Sequence, residues 1–150
     1  MTQEEFKAQQ RSKEDIELLI SELCQRMPYG IKLQKHEEED SIYTLYSINL
    51  ESNEIYFWKY QGESLRIGDT GRIRRFGIPL YKPYLFPMSS MTEEQREEYH
   101  NLCSVGTDEC GDIIYFDTYE SIDYLNKNKF DYRYLIPMGL ANDATNLNIY

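Results

Sequence analysis

The first clear pattern along the chain is a helical one. Apolar residues recur three or four positions apart from residue 16 onward, with acidic and polar residues on the other faces. These apolar positions are Ile16, Leu19, Ile20, Leu23 and Met27. Ser12 followed by Asp15 has the pattern of a helix start, while Pro28 and Gly30 predict the end. We therefore predict an amphipathic helix with one face in the core.

After residue 30 the spacing of apolar residues changes from a helical period to the alternation of a strand. Residues 42–48 and 55–60 each alternate in polarity, and a short polar turn at 51–53 separates them. Ile42, Thr44, Tyr46 and Ile48 share one predicted face, and Tyr43, Leu45 and Ser47 share the other. This pattern predicts a β-hairpin, and the acidic residues 37–40 are predicted to form the loop that precedes it.

Residues 61–90 have no clear period. Glycines punctuate the first part of this segment and prolines fix an extended path in the second. The residues are Gly62, Gly68, Gly71, Gly77, Pro79, Pro83 and Pro87. Long irregular segments in compact domains are usually functional or disordered. The aromatic content of this one predicts that it is ordered and docked on the rest of the protein.

The last third of the chain contains two further helix starts. Thr92 and Gln95 form a capping box for a helix that we expect to end near Gly106. A short strand is predicted at Ile113–Phe116, and Asp117 opens the next helix. Its inward-facing residues are predicted to be Tyr119, Ile122 and Leu125.

These elements predict a single α+β domain spanning residues 1–150. Its small antiparallel sheet would be packed by the N-terminal helix and the two later helices. Neither a repeat nor a linker interrupts the chain. Residues 1–11 and 141–150 are expected to be loosely held, with Thr2 and Glu5 able to start a separate first turn.

Composition narrows the possible environment and partners. The net charge is −10 and the isoelectric point is near 4.7, so the protein repels nucleic acid and anionic membranes at long range. Three cysteines without a C-x-x-C pair favour reduced thiols and a cytoplasmic location. No apolar run approaches the ~20 residues that span a bilayer, and no membrane association is expected. The 14 tyrosines fit either half-buried sheet positions or a binding face.

The chemically reactive residues do not form a convincing site. His100, Cys103 and Cys110, with Asp108 nearby, give only one close ligand pair, whereas structural zinc sites usually show two. His36 is the only other histidine, and no nucleophile motif accompanies either one. We therefore expect no metal, cofactor or catalytic residue. Carboxylate chemistry stays open, because the 26 acidic residues permit many pairs.

The feature most suggestive of function is a change in charge along the chain. Residues 61–90 carry a net charge of +3, between segments of −5 and −8. We expect the basic and aromatic residues here to form a contact surface for an anionic partner, because guanidinium groups and rings bind phosphates, bases and carboxylates. They are Arg66, Arg72, Arg74, Arg75, Phe76, Tyr81, Lys82 and Tyr84. Alternatively, the cations neutralise the protein's own acids at 37–40 and 93–98.

Three stretches of sequence resemble a family of small uncharacterised proteins from gut Bacteroides-type bacteria and their phages or prophages. The stretches are KPYLFPMSSMTEE at 82–94, LCQRMPYG at 23–30, and IDYL at 122–125 continuing to FDYRYLI at 130–136. The family commonly has a basic residue where this chain has Phe86 and a glycine where it has Tyr134. The resemblance implies a bacterial or phage setting but no activity.

These observations predict a non-enzymatic interaction or regulatory protein of a mobile element, contacting a protein or other anionic partner through residues 66–84. Two alternatives stay open. One is an accessory factor in phage nucleic-acid transactions that binds single strands through the same arginines. The other is a small carboxylate-dependent hydrolase.

Overall fold

The computed structural model describes residues 2–36, 38, 42–52, 54–61, 65–72, 74–75 and 78–150. Side chains are described for all of these except 6–11, 59–61, 65–69, 74–75 and 78–79. The helices are α1 (Gln3–Arg26), α2 (Glu93–Leu102) and α3 (Tyr119–Lys127), with 3-10 turns at Met27–Tyr29 and Met88–Ser90. The strands are β1 (Lys32–Lys35), β2 (Tyr43–Asn49), β3 (Glu54–Gln61), β4 (Leu65–Arg72), β5 (Arg74–Arg75), β6 (Ile78–Pro79), β7 (Tyr81–Pro87), β8 (Ser104–Thr107), β9 (Ile113–Phe116), β10 (Phe130–Asp131) and β11 (Asn142–Asp143).

Helix α1 is longer than the sequence pattern indicates. It begins at Gln3 rather than near Ser12, because Thr2 and Glu5 form a reciprocal capping box at its N-terminus. Ser12 therefore lies inside the helix. The predicted end is confirmed: a 3-10 turn follows Arg26, and Gly30 adopts the left-handed conformation at φ 76°.

Seven strands form the main sheet in the order β10-β7-β1-β2-β3-β4, with β11 also pairing with β7. Strands β1 to β4 pair antiparallel in sequence order, and β7 adds antiparallel to β1. The short strands β10 and β11 run parallel to β7. The α+β class is confirmed, including the predicted hairpin, which is the β2–β3 pair. The sheet is mixed rather than purely antiparallel because the chain returns to β7 after α3.

The segment 61–90 is more regular than predicted. Strand β4 pairs with β3 along its whole length, and β7 lies inside the sheet. Pro83 in β7 stands opposite Leu33 of β1. A proline lacks the N–H group but its fixed φ suits an extended chain, so the prolines that mask the strand pattern are compatible with the strand.

The core lies between α1 and one face of the sheet. Leu19 and Leu23 of α1 are fully buried and belong to the same apolar cluster as Leu33, Leu45 and Leu85 of the sheet. Of the two predicted faces of the first hairpin strand, the one with Tyr43 and Leu45 is buried. The other face presents Ile42 and Tyr46 to solvent.

One ion pair lies within this core. Glu22 and Arg26, one turn apart on α1, pair with each other while each side chain is only 1% exposed. Arg26 Nη2 also donates a hydrogen bond to the carbonyl oxygen of Phe130 at 2.7 Å, and its guanidinium lies 4.9 Å from the centre of the Tyr132 ring. These contacts connect the end of α1 to the β10 region.

Helices α2 and α3 adjoin each other beside the sheet. The predicted capping box of Thr92 and Gln95 is confirmed, but α2 ends at Leu102 because the chain becomes extended at Cys103. Thr118 caps α3, whose Leu125 is buried as predicted. The prediction that Tyr119 faces inward is wrong: this first helical residue is 86% exposed. None of the described helices has the length and apolar character needed to cross a bilayer.

Candidate protein-docking surface

The structure describes only part of the predicted basic contact surface. Phe76 and the side chains of Arg66, Arg74 and Arg75 lie outside the described residues. Arg72, at the end of β4, is exposed, and Lys82 in β7 is half-buried. The proposed contact of residues 66–84 with an anionic partner therefore stays a prediction.

The two tyrosines of that predicted surface lie inside the protein. Tyr81 is 3% exposed and packs against Phe57 and Tyr43, with ring centroids 5.0 and 6.5 Å away. Tyr84 is 5% exposed, and its carbonyl oxygen accepts a hydrogen bond from the hydroxyl of Tyr150 at 2.8 Å. Since β7 is an inner strand, neither ring presents a face to a partner in this structure.

A different surface stands out among the described residues. Strands β8 and β9 form a two-stranded hairpin between α2 and α3, separate from the main sheet. Val105 lies opposite Tyr115 and Thr107 lies opposite Ile113, so these four side chains share one face. Gly106 and Phe116 belong to the other face.

Most of the apolar side chains in this region are exposed. Val105 and Ile113 are each 63% exposed, and Phe116 is 53% exposed. Six of the large apolar residues that are exposed in the described structure fall within this short region: Leu102, Val105, Ile113, Tyr115, Phe116 and Tyr119. Isolated exposed apolar residues are ordinary, but a concentration of them marks an interaction site on a soluble protein. We call the exposed apolar residues of 102–119 the hairpin surface.

The hairpin surface is held in a defined position by its base. The imidazole of His100 in α2 stacks on the ring of Tyr115, and the hydroxyl of Thr118 donates a hydrogen bond to the carbonyl oxygen of Leu102 at 2.6 Å. The hydroxyl of Tyr99 donates to the carboxylate of Asp117. Burial, followed by this hydrogen bond, raises the pKa of Tyr99. The exposed residues thus extend from a fixed base.

The tip of the hairpin is also ordered. The carboxylate of Asp108 accepts hydrogen bonds from the backbone N–H groups of Cys110 and Asp112, both at 2.9 Å. Gly111 has φ 85°, a conformation that other residues adopt only with strain. Closer to the base, a Cβ atom on Gly106 would lie 2.8 Å from Cε2 of Phe116, so the glycine makes room for this ring.

Strand β9 offers backbone groups as well as side chains. The N–H of Asp108 donates to the carbonyl oxygen of Asp112 at 2.9 Å, closing the ladder at the tip. Because hydrogen-bonded and non-bonded pairs alternate in an antiparallel ladder, the backbone groups of Ile113 and Tyr115 point away from β8. Within the described residues the hairpin pairs with no third strand. An uncharged, exposed edge of this kind readily accepts another strand.

The sequence around the hairpin surface is strongly acidic. Residues 97–126 contain eight carboxylates and no lysine or arginine. Three of these carboxylates, on Asp108, Glu109 and Asp112, lie exposed at the tip. Like charges disfavour the approach of an acidic partner, and opposite charges accelerate docking.

The residues weighed as metal ligands take other positions here. His100 is occupied in stacking on Tyr115, Cys103 is half-buried after α2, and Cys110 is exposed at the hairpin tip. Among the described residues, no group of three or more His, Cys, Asp or Glu side chains is placed to hold a metal ion.

Sequence reasoning located only part of this surface. The strand at Ile113–Phe116 is confirmed, but β8 was assigned to the preceding helix. The sequence analysis predicts a strand here but no contact surface; the signal that could have indicated one is the uncharged run at 113–116 between acidic residues at 112 and 117. Sequence alone does not show that Ile113, Tyr115 and Phe116 are exposed in the described structure.

The family resemblance carried by residues 82–94 stays a prediction. No protein-family model, no curated protein and no solved structure matches this chain.

Proposed function

We propose that this protein is a non-enzymatic interaction module that binds a partner protein through the hairpin surface. The observation that carries the proposal is the set of exposed apolar residues on a fixed hairpin, one edge of which pairs with no other strand of the described structure. Burying one such side chain contributes on the order of 1.5–3 kcal/mol. Two or three of them, with backbone hydrogen bonds to β9, supply enough energy for a specific complex.

The partner we propose is an extended protein segment with alternating apolar and basic residues. Its apolar side chains would pack on Val105 and Ile113 while its backbone pairs with β9. Its lysines or arginines would approach the acidic tip, where Glu109 and Asp112 are exposed. A second copy of this chain is disfavoured as the occupant, because two acidic hairpins would repel one another.

The test is a selection of short random peptides on the immobilised protein, followed by calorimetry on the selected sequences. We expect enrichment of peptides that combine apolar residues with Lys or Arg. Ile113→Thr should weaken binding at least tenfold. The matched control is Leu50→Thr, since Leu50 is also 63% exposed but lies at the β2–β3 turn. Equal binding by the two variants would remove the hairpin surface as the docking site.

A second pair of variants tests the charge of the partner. Replacing Glu109 with Gln and Asp112 with Asn should weaken binding, most strongly at low salt, because the charges at the tip are exposed. The control replaces Glu51, an exposed acid at the β2–β3 turn, with Gln. Selection of acidic peptides, or a dimer in sedimentation velocity that Ile113→Thr dissociates, would contradict the proposed partner.

A further inference from the structure

A second candidate site lies on a different part of the molecule. An open cleft of about 370 Å³ lies between the 3-10 turn after β7, the end of α3 and the C-terminal segment. It is lined by Phe86, Ser90, Gln95, Lys127, Asn128, Lys129, Phe130, Thr145, Asn146 and Tyr150. This volume is at the lower end of the range for small-molecule sites.

One wall of the cleft is aromatic and fixed in place. The ring of Phe86 lies 6.4 Å from that of Phe130 and 5.9 Å from that of Tyr150, measured between centroids. The hydroxyl of Tyr150 donates to the carbonyl oxygen of Tyr84 at 2.8 Å and accepts from the backbone N–H of Lys32 at 2.9 Å. The wall therefore exists before any ligand arrives.

The charge of the cleft is opposite to that of the protein. Its lining includes Lys127 and Lys129 but no aspartate or glutamate. Neither lysine forms an ion pair with a carboxylate of the described residues. The ammonium group of Lys129 lies 5.0 Å from the centre of the Tyr150 ring. Two cations that pair with no carboxylate of the described residues are unusual in a chain with a net charge of −10.

The two lysines also affect one another. Burial lowers the pKa of Lys129, and the positive charges of Lys32 and Lys127 lower it further. Three ammonium groups are thus close enough to repel. An anion bound in the cleft beside Lys127 and Lys129 would relieve this repulsion and favour the charged form of Lys129.

The backbone at Lys129 is in the left-handed region. Lys129 follows the end of α3 with φ 59°, and Asn146 across the cleft has φ 67°. Glycine is the preferred residue in this left-handed conformation after a helix, and a lysine there costs about 1 kcal/mol. A basic residue in the last helical turn favours the helix dipole, which accounts for Lys127. That reason does not extend to Lys129, which lies beyond the helix.

We propose that this cleft binds a small organic anion, with its phosphate or carboxylate group between Lys127 and Lys129 and its apolar part against Phe86. The side-chain amides of Asn128 and Asn146 would complete the polar contacts, since the hydroxyl of Thr145 already donates to Asp143. This site is independent of the hairpin surface, so the failure of either proposal leaves the other untouched.

The test is isothermal calorimetry at low salt with phenyl phosphate, benzoate and neutral benzyl alcohol as probes. We expect the two anions to bind and benzyl alcohol to bind at least tenfold more weakly. Whichever of the two anions binds more tightly shows whether the cleft prefers a phosphate or a carboxylate group. Lys127→Gln should weaken binding about tenfold, as expected for the loss of one charged hydrogen bond. Lys13→Gln, an exposed lysine of α1, is the matched control.

Lys129→Gly separates binding from folding. This variant should unfold at an equal or higher denaturant concentration, because glycine suits the left-handed backbone, and yet bind the anion at least tenfold more weakly. Equal affinity of the wild type and both cleft variants would overturn the proposal. So would equal affinity for benzyl alcohol and the anions, or the absence of any binding by the wild-type protein.

Discussion

The imidazole of His100 lies parallel to the ring of Tyr115, with the centroids 3.8 Å apart and the planes at 5°. This stack connects α2 to the outer strand of the hairpin. Replacing His100 with Ala should destabilise the hairpin by about 0.5–1.5 kcal/mol, the usual range for an aromatic pair. Amide hydrogen exchange at Ile114 and Phe116, whose N–H groups face β8, should then accelerate several-fold. Asn101→Ala, on the next residue of α2, should leave the exchange unchanged, and equal acceleration in both variants would contradict the assignment.

The buried pair of Glu22 and Arg26 should be costly to break on one side only. We expect Arg26→Met to lower the free energy of unfolding by about 3–5 kcal/mol, because Glu22 would remain buried with only the longer contact, 3.6 Å, to the exposed side chain of Arg133. The double variant with Glu22→Leu should recover much of that loss, since no buried charge remains. Urea unfolding of both variants measures the difference. A double variant as unstable as the single one would show that the pair is not the cause.

Replacement of two exposed tyrosines by glycine should change the free energy of unfolding in opposite directions. Tyr134 is 70% exposed and has φ 60°, so Tyr134→Gly should raise the free energy of unfolding by about 0.5–1 kcal/mol. Tyr119 is also highly exposed but lies in the first turn of α3. Tyr119→Gly should therefore lower stability by up to about 1 kcal/mol. Thermal unfolding of the two variants checks the signs, and a loss of stability in both would show that the Tyr134 side chain contributes more than its backbone costs.

The tyrosines near α2 should make stability depend on pH in the alkaline range. Burial, followed by a hydrogen bond to Glu98, raises the pKa of Tyr124 to about 12. An unfolded tyrosine titrates near pH 10, so above that value the unfolded chain loses its proton first. The contribution of Tyr124 is therefore complete below about pH 10 and lost between about pH 10 and about pH 12. Tyr124→Phe should flatten this part of the stability profile, and an unchanged profile would exclude Tyr124 as its source.

Thiol reactivity should distinguish the three cysteines. Cys110 is exposed at the hairpin tip, whereas Cys24 and Cys103 are half-buried. Burial raises the pKa of Cys24, which lowers its thiolate fraction at neutral pH. We expect one fast reaction with a water-soluble disulfide reagent, abolished by Cys110→Ser, and a slower reaction of Cys24 that accelerates at higher pH. A fast phase that persists in Cys110→Ser would place the reactive thiol elsewhere.

The sequence predicts best those helices and strands that depend on neighbouring residues alone. The Thr92–Gln95 capping box and the alternation at 43–48 located α2 and β2, because caps and side-chain faces depend on near neighbours. Strand β7 was not predicted as a strand. Its buried residues are consecutive at Pro83, Tyr84 and Leu85 rather than alternating, since α1, β1 and the later chain all pack around it.

The candidate sites were less predictable than the fold. The strand at 113–116 could be read from the sequence, but its exposure depends on which elements fail to cover it. The cleft at Lys127 and Lys129 brings together residues from β7, α2, α3 and the C-terminal segment. No spacing pattern in the sequence indicates that residues from such distant segments lie together. Tyr81 and Tyr84 show the opposite case, in which residues predicted to form a site are buried. Their basic neighbours in the sequence suggest a binding face, but the sheet buries both rings.

The late pairing of β10 and β11 with β7 has a consequence for synthesis on the ribosome. Strand β7 can meet β1 as soon as it emerges, but its parallel neighbours lie at residues 130 and 142. Until those residues leave the exit tunnel, the nascent chain cannot complete the sheet beyond β7, and the carbonyl oxygen of Leu85 lacks the hydrogen bond that it accepts from the N–H of Ala144 in the finished fold. Pairing around β7 should therefore be completed later than the β1–β4 part of the sheet.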